Sequence, residues 1–134
     1  MAKIVRVGVT FPPDLLKELD ETVGRIGYDS RSKAIQDSVR SFIAEQNLIR
    51  EQKGTRVGML MMIYDHEVKE LETALTDTQH KHSHVIYSSM HIHLSERECL
   101  ETIAVKGEIN EIRHLAQELT TKRGVKQVKL TIVS

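Results

Sequence analysis

From Arg56 to Val133 the hydrophobic spacing alternates between the two-residue repeat of a strand and the 3.6-residue repeat of a helix, and that order restricts the fold. A strand is predicted over residues 56–64. A helix follows over 66–79, with Val68, Leu71 and Leu75 inward. A strand over 84–94 and another over 98–106 are joined by the tight polar connection Ser95-Glu96-Arg97. Gly107 leads into a helix over 108–122 with Ile109, Ile112, Leu115 and Leu119 on one stripe. Gly124 ends it, and a last strand runs over 125–133. The order β-α-β-β-α-β predicts a ferredoxin-like domain over residues 56–134.

The first fifty residues read differently. Ile4 to Phe11 alternates, with Val5, Val7 and Val9 on one face and Arg6, Gly8 and Thr10 on the other. Pro12-Pro13 ends this strand and opens a helix through Leu15, Leu16, Leu19 and Val23, closed by Gly24 and Gly27. Ser30 is an N-cap for a second helix through Ala34, Ile35, Val39, Phe42 and Ile43. That helix is expected to fade in the polar run from Gln46 to Lys53, leaving residues 51–55 as a linker. One strand and two helices bury little apolar surface alone, and a lone strand leaves both edges unpaired. Pairing with the same strand of a second chain solves both problems. The resulting ribbon would present Arg6, Gly8 and Thr10, and a two-stranded ribbon fits the DNA major groove. Amides near Ser30, Arg31 and Ser32 at the second helix start suit a phosphate.

Composition narrows the classes. Lys plus Arg equals Asp plus Glu at 19 each, so any DNA contact must come from a local patch. With no Trp, two Phe and three Tyr, the core must be aliphatic. The single cysteine excludes an internal disulfide and fits a reducing compartment. No apolar run approaches the roughly 20 residues of a membrane span, and the start lacks a signal-peptide pattern. The expectation is a cytoplasmic protein without a membrane partner.

Five of the seven histidines and the only cysteine fall between His80 and Cys99. Imidazole nitrogen and thiolate sulfur are donors for nickel, copper or zinc. His91 and His93 lie two apart on a strand and share a face. Cys99 follows across the hairpin and folds back toward that face. A fourth donor is needed, and His80 is the candidate, from the same chain or another subunit. His82 and His84 are candidates for a secondary metal site, for outer support of the ligands, or for a solvated helix end. His66 and His114 have no partner pattern and read as surface residues. No Ser-His-Asp set, phosphate loop or carboxylate pair points to catalysis, and four protein donors leave no open position on a tetrahedral metal.

The pattern V-R-V-G-V-T-F-P-P-D-L-L-K-E-L-D followed by G-Y-D-S-R-S-K-A-I resembles the ribbon-helix-helix DNA-binding family over residues 3 to about 50. The spacing H-x10-H-x-H-x5-C, with T-Q-H at 78–80, H-I-H-L at 91–94 and C-L-E at 99–101, resembles the nickel-responsive NikR family across essentially the whole chain. The resemblance implies an α+β protein with an N-terminal dimeric ribbon-helix-helix domain and an ACT-like nickel-binding domain. It implies a homotetramer in which His91, His93 and Cys99 ligate a planar Ni(II) with His80 of a neighbouring subunit. A potassium site in some members uses an acidic residue at the position of Asp37, whereas Lys33 stands where another acid is common. The expected function is a nickel-dependent repressor of nickel-uptake genes that binds double-stranded operator DNA and takes no small-molecule substrate. The alternatives are the same architecture answering to another metal, and a metal store.

Overall fold

In the computed structural model, which describes residues 3–134, the second half is built on four antiparallel strands. They are β1 (Thr55–Asp65), β2 (Ile86–His93), β3 (Glu98–Glu108) and β4 (Val125–Ile132). Their order across the sheet is β2-β3-β1-β4. Helices α3 (Leu71–Lys81) and α4 (Ile109–Thr120) connect β1 to β2 and β3 to β4. This is the expected β-α-β-β-α-β domain, and it belongs to a unit spanning Leu48–Ser134.

Alternation sorts the sheet into two faces. Leu60, Met62 and Tyr64 of β1 and Cys99, Ile103 and Val105 of β3 are buried with Leu71 and Leu75 of α3 and Ile109, Ile112, Leu115 and Leu119 of α4. Val57 and Met59 point the other way and remain exposed, as do Met90 and Ile92 of β2. One register shift decides which face the β2 histidines join. Ile86 pairs with Val105, but Ser88 pairs with Ala104, so one extra residue bulges at Tyr87. The bulge inverts the alternation. Downstream of it His91 lies opposite Glu101 and His93 opposite Cys99, on the helix-covered side.

The other unit extends to Asn47. It contains α1 (Pro13–Ile26) and most of α2 (Arg31–Glu51). Pro13 occupies the first turn of α1, and Gly27, at φ 92°, ends it with its N–H on the Val23 carbonyl. Gly24 lies within the helix, so Gly27 alone is the cap. Ser30 Oγ accepts the Lys33 N–H at 3.2 Å and caps α2. α2 runs to Glu51 despite its polar end, because Glu, Gln and Arg are good helix formers. Ile49, past Asn47, belongs to the second unit and packs against that unit's own core.

Three further expectations are corrected. Residues 4–11 form no strand in the single chain, since a ladder needs a second strand, and Val5, Val7 and Val9 are exposed. α3 begins at Leu71 instead of residue 66. Asp65 explains the delay: its Oδ1 accepts the Glu67 N–H at 2.9 Å and its carbonyl accepts the Val68 N–H at 3.2 Å, a local turn that competes with helix. β2 begins at Ile86 instead of 84, because Val85 and Ile86 donate back to the His82 and Ser83 carbonyls. None of the described helices is long and apolar enough to cross a membrane.

Asp65 also ties the β2–β3 connection to this turn, since Arg97 Nη2 donates to its Oδ2 at 2.9 Å. The Glu67 amide, and then Arg97, hold the Asp65 carboxyl below its usual range. A folded pKa below the unfolded one adds stability above the ordinary carboxylate range and loses it on acidification. Asp65→Asn should therefore be less stable than wild type at pH 7, and the gap should close as pH falls below about 4. Urea titrations across pH check this; a gap independent of pH would contradict it.

Candidate metal centre

The hairpin of β2 and β3 brings the donors together through its register. His93 Nδ1 lies 3.3 Å from Cys99 Sγ. Cys99 is buried at 2% exposure, while His93 is on the open edge. His66, in the turn set by Asp65, stands edge-on to His93 with ring centroids 6.1 Å apart. Donor atoms of His66, His93 and Cys99 all lie within 4.8 Å of one another. Two nitrogens and one sulfur at this separation fit a borderline transition metal by chemistry and by reach.

His91 sits one pair along. Its Nε2 is 3.2 Å from Glu101 Oε2, and its Nδ1 is 3.3 Å from the Tyr64 hydroxyl. A carboxylate beside Nε2 favours the tautomer with its proton there, leaving Nδ1 to accept from the Tyr64 hydroxyl. Glu101 is fully buried, and Gln79 Nε2 donates to its Oε2 at 3.0 Å. Its Oε1 has no hydrogen-bond partner. Burial pushes the Glu101 carboxyl up, against the opposing pull of His91 and Gln79. Burial also raises the Tyr64 phenol, with Cys99 and Glu101 adding to it. A buried carboxylate with an orphaned oxygen is costly, and such groups collect where a charge is to be handled.

His80 occupies the last turn of α3 and is exposed. Within one chain it is not among the grouped donors. His82 is buried, with Nε2 3.3 Å from Glu118 Oε1, and His84 Nε2 is 3.1 Å from Glu111 Oε1. His114 is exposed on α4. His66, which reads as a surface residue in the sequence, is half-buried, and its ring nitrogen joins the group with His93 and Cys99, whereas His91 lies outside that group. The signal for His66 was the strand end before it, because Tyr64 pairs with Cys99 and carries the next turn to the hairpin.

In the first unit, Arg6, Gly8 and Thr10 are exposed. The Ser30 hydroxyl is occupied as the α2 cap. Arg31 makes a two-pronged contact with Asp20, both bonds at 2.9 Å. Asp37 accepts from Tyr28 at 2.7 Å, Lys33 at 2.7 Å and Arg40 at 2.8 Å. Lys33 and Tyr28 hold its carboxyl below the usual range.

Residues 57–133 match the family model described as the NikR C-terminal nickel-binding domain. The chain belongs to the NikR family. A protein of Methanosarcina mazei bearing the name nickel-responsive regulator 2 is 42% identical over 132 residues, covering 98% of this chain and 94% of the relative. A Methanocaldococcus jannaschii protein named as a nickel-responsive regulator is 38% identical over 133 residues, covering 99% and 94%. Among solved structures, an uncharacterized protein from Thermotoga maritima aligns with a TM-score of 0.55 at 17% identity, covering 60% of this chain and 99% of that one. That likeness concerns the fold alone. The second unit thus carries the nickel-binding domain of the family, and the donor chemistry on the hairpin fits that metal.

Glu101 gives a test of the site. Replacing it by Gln keeps its shape and a hydrogen bond to Gln79 while removing the buried charge. The metal-free protein should gain stability by about 1 kcal/mol, because a neutral group costs less to bury. Nickel affinity should fall by about tenfold, as the partner of His91 weakens. Thermal melts and chelator competition measure the two. Loss of apo stability with unchanged nickel affinity would contradict this assignment.

Proposed function

We propose that the chain is a nickel-responsive transcriptional repressor, with Ni(2+) bound in the second unit promoting operator binding by the first. The observation that supports this is the hairpin register that sets His93 opposite Cys99 and His91 one pair along, in a family nickel-binding domain. His80 completes the ligand set from a neighbouring subunit. Its exposure in the last turn of α3 suits donation to another chain. Nickel, when bound, supplies a rigid link between the donors of two chains. Imidazole and thiol must shed protons to ligate, so affinity falls on acidification.

The oligomer is a homotetramer, a dimer of dimers. Two observations support self-association. The uncovered sheet face is apolar around Val57, Met59, Met90 and Ile92, and Val5, Val7 and Val9 stand exposed on an unpaired segment. Paired with the same segment of a partner, residues 4–11 form the ribbon, with Arg6, Gly8 and Thr10 toward base edges. The α2 start contributes amides near Ser30 and Arg31 to a phosphate, while Asp20 orients the Arg31 guanidinium. His82 and His84 act as outer support of the ligand set. Lys33 supplies, beside Asp37, the positive charge that a bound cation would otherwise bring. The reading is of a regulator acting in the cytoplasm on genes of nickel uptake, with no reaction catalysed. Coupling is reciprocal, so DNA that binds more tightly with nickel must in turn tighten nickel binding.

A gel shift on DNA upstream of neighbouring and nickel-uptake genes, with and without nickel, tests this. A retarded complex should form only with nickel. Cys99→Ala should abolish the nickel response and leave the assembly intact by size-exclusion chromatography. Arg6→Ala should weaken the complex without altering nickel affinity in the absence of DNA. Nickel-independent binding by the wild type, or an unimpaired Cys99→Ala response, would refute the reading.

A further inference from the structure

Two carboxylates on α4 do no work in the ligand set just described, yet both face the tail of α3. Lys81 Nζ lies 2.9 Å from Glu118 Oε1, and His82 Nε2 lies 3.3 Å from the same oxygen. His84 Nε2 lies 3.1 Å from Glu111 Oε1. Glu111 and Glu118 stand seven residues apart, two turns along one stripe of α4. They therefore meet successive parts of the segment leaving α3. The His82 ring is held almost wholly out of solvent.

The other flank of the turn is also anchored. Thr78 is buried, and Gln79 donates to the buried Glu101 at 3.0 Å. Backbone bonds brace the same stretch, since His82 donates to the Thr78 carbonyl and Ser83 to that of His80. His80 is thus bracketed. Side chains at 78 and 79 are held on one side, Lys81 is bonded to Glu118 on the other with the His82 and His84 rings near α4 carboxylates, and the imidazole between them faces outward. A helix end would otherwise fray, with four carbonyls lacking helical partners.

We infer that Glu118, assisted by Glu111, is a positioning residue for nickel binding: it pins the tail of α3 to α4 and so holds His80 aimed away from its own domain. The inference rests on the reading that His80 is a ligand to a neighbouring subunit's site. Glu118 never approaches the metal in this account. It limits the conformations His80 must give up on ligation, and a preorganised donor binds more tightly than a frayed one.

The test uses the full chain and Ni(2+) alone as the probe. In metal-free protein, Glu118→Ala should speed hydrogen exchange at amides 79–84 and leave the sheet amides protected. Its nickel affinity, from chelator competition, should fall by about tenfold, the scale seen when an outer partner of a ligand is lost. Glu118→Gln retains an acceptor for Lys81 and should restore most of that affinity and the wild-type nickel–thiolate absorption band. Should Glu118→Ala also strip protection from the sheet, Lys81→Met, which removes one exposed donor, replaces it with the same expected direction. His80→Ala separates the two claims. If it leaves nickel affinity unchanged, His80 is no ligand and the underlying reading fails. If it abolishes binding while Glu118→Ala changes neither exchange nor affinity, the positioning role alone is overturned.

Discussion

The pairing of β2 with β3 beyond the bulge at Tyr87 governs the rest of this structure. A strand offers alternate residues to opposite faces, so a shift of one residue exchanges the two sets. With the bulge, His91 and His93 join Glu101 and Cys99 on the helix side. Without it, Met90 and Ile92 would take that side and both histidines would leave the sulfur. The bulge therefore trades apolar burial on an edge strand for a row of nitrogen and sulfur donors. Bulges gather beside functional sites for this reason.

Much of the second half was legible in the sequence because its signals are local and mutually consistent. A continuous apolar run marked β1, alternation marked the later strands, and the stripe Ile109, Ile112, Leu115, Leu119 marked α4. The Ser30 cap was equally local. What escaped were features set by competition or by register. The Asp65 turn displaced the first turn of α3, and with it moved His66 beside the hairpin. The bulge left no trace, because Ser-Ser-Met-His-Ile-His alternates equally well in either phase. Glu101 did leave one: it stands in the inward row Cys99, Glu101, Ile103, Val105, where a charge calls for explanation. The strand over Ile4–Phe11 is a different case. Its pattern is intact, but a ladder belongs to two strands, and one chain contains only one of them.

The domain holds its donors in two ways. On the hairpin, main-chain pairing sets spacing, and buried partners such as Glu101 orient the rings at a cost to stability. On α3, the proposed donor His80 sits at a helix end, beside a Lys81 tie to α4. The Glu118 carboxyl lies below its usual range because Lys81, and then His82, favour its charge. Surface ion pairs of this type add little to stability. Their value here is conformational, since they determine where a helix terminus points. Under the proposed function, a rigid hairpin and a tethered helix end meeting across chains would make ligation depend on assembly.

Complementation between subunits tests that dependence most directly. His80→Ala and Cys99→Ala chains each lack one half of every site when alone. Co-expressed, a mixed assembly contains intact hairpins facing intact α3 tails. The account predicts that mixed tetramers, isolated by two different affinity tags, regain nickel sites and the nickel–thiolate band that both parents lack. Mixed tetramers with no more nickel than either parent would show that His80 and Cys99 do not meet across chains, and the central claim would fall.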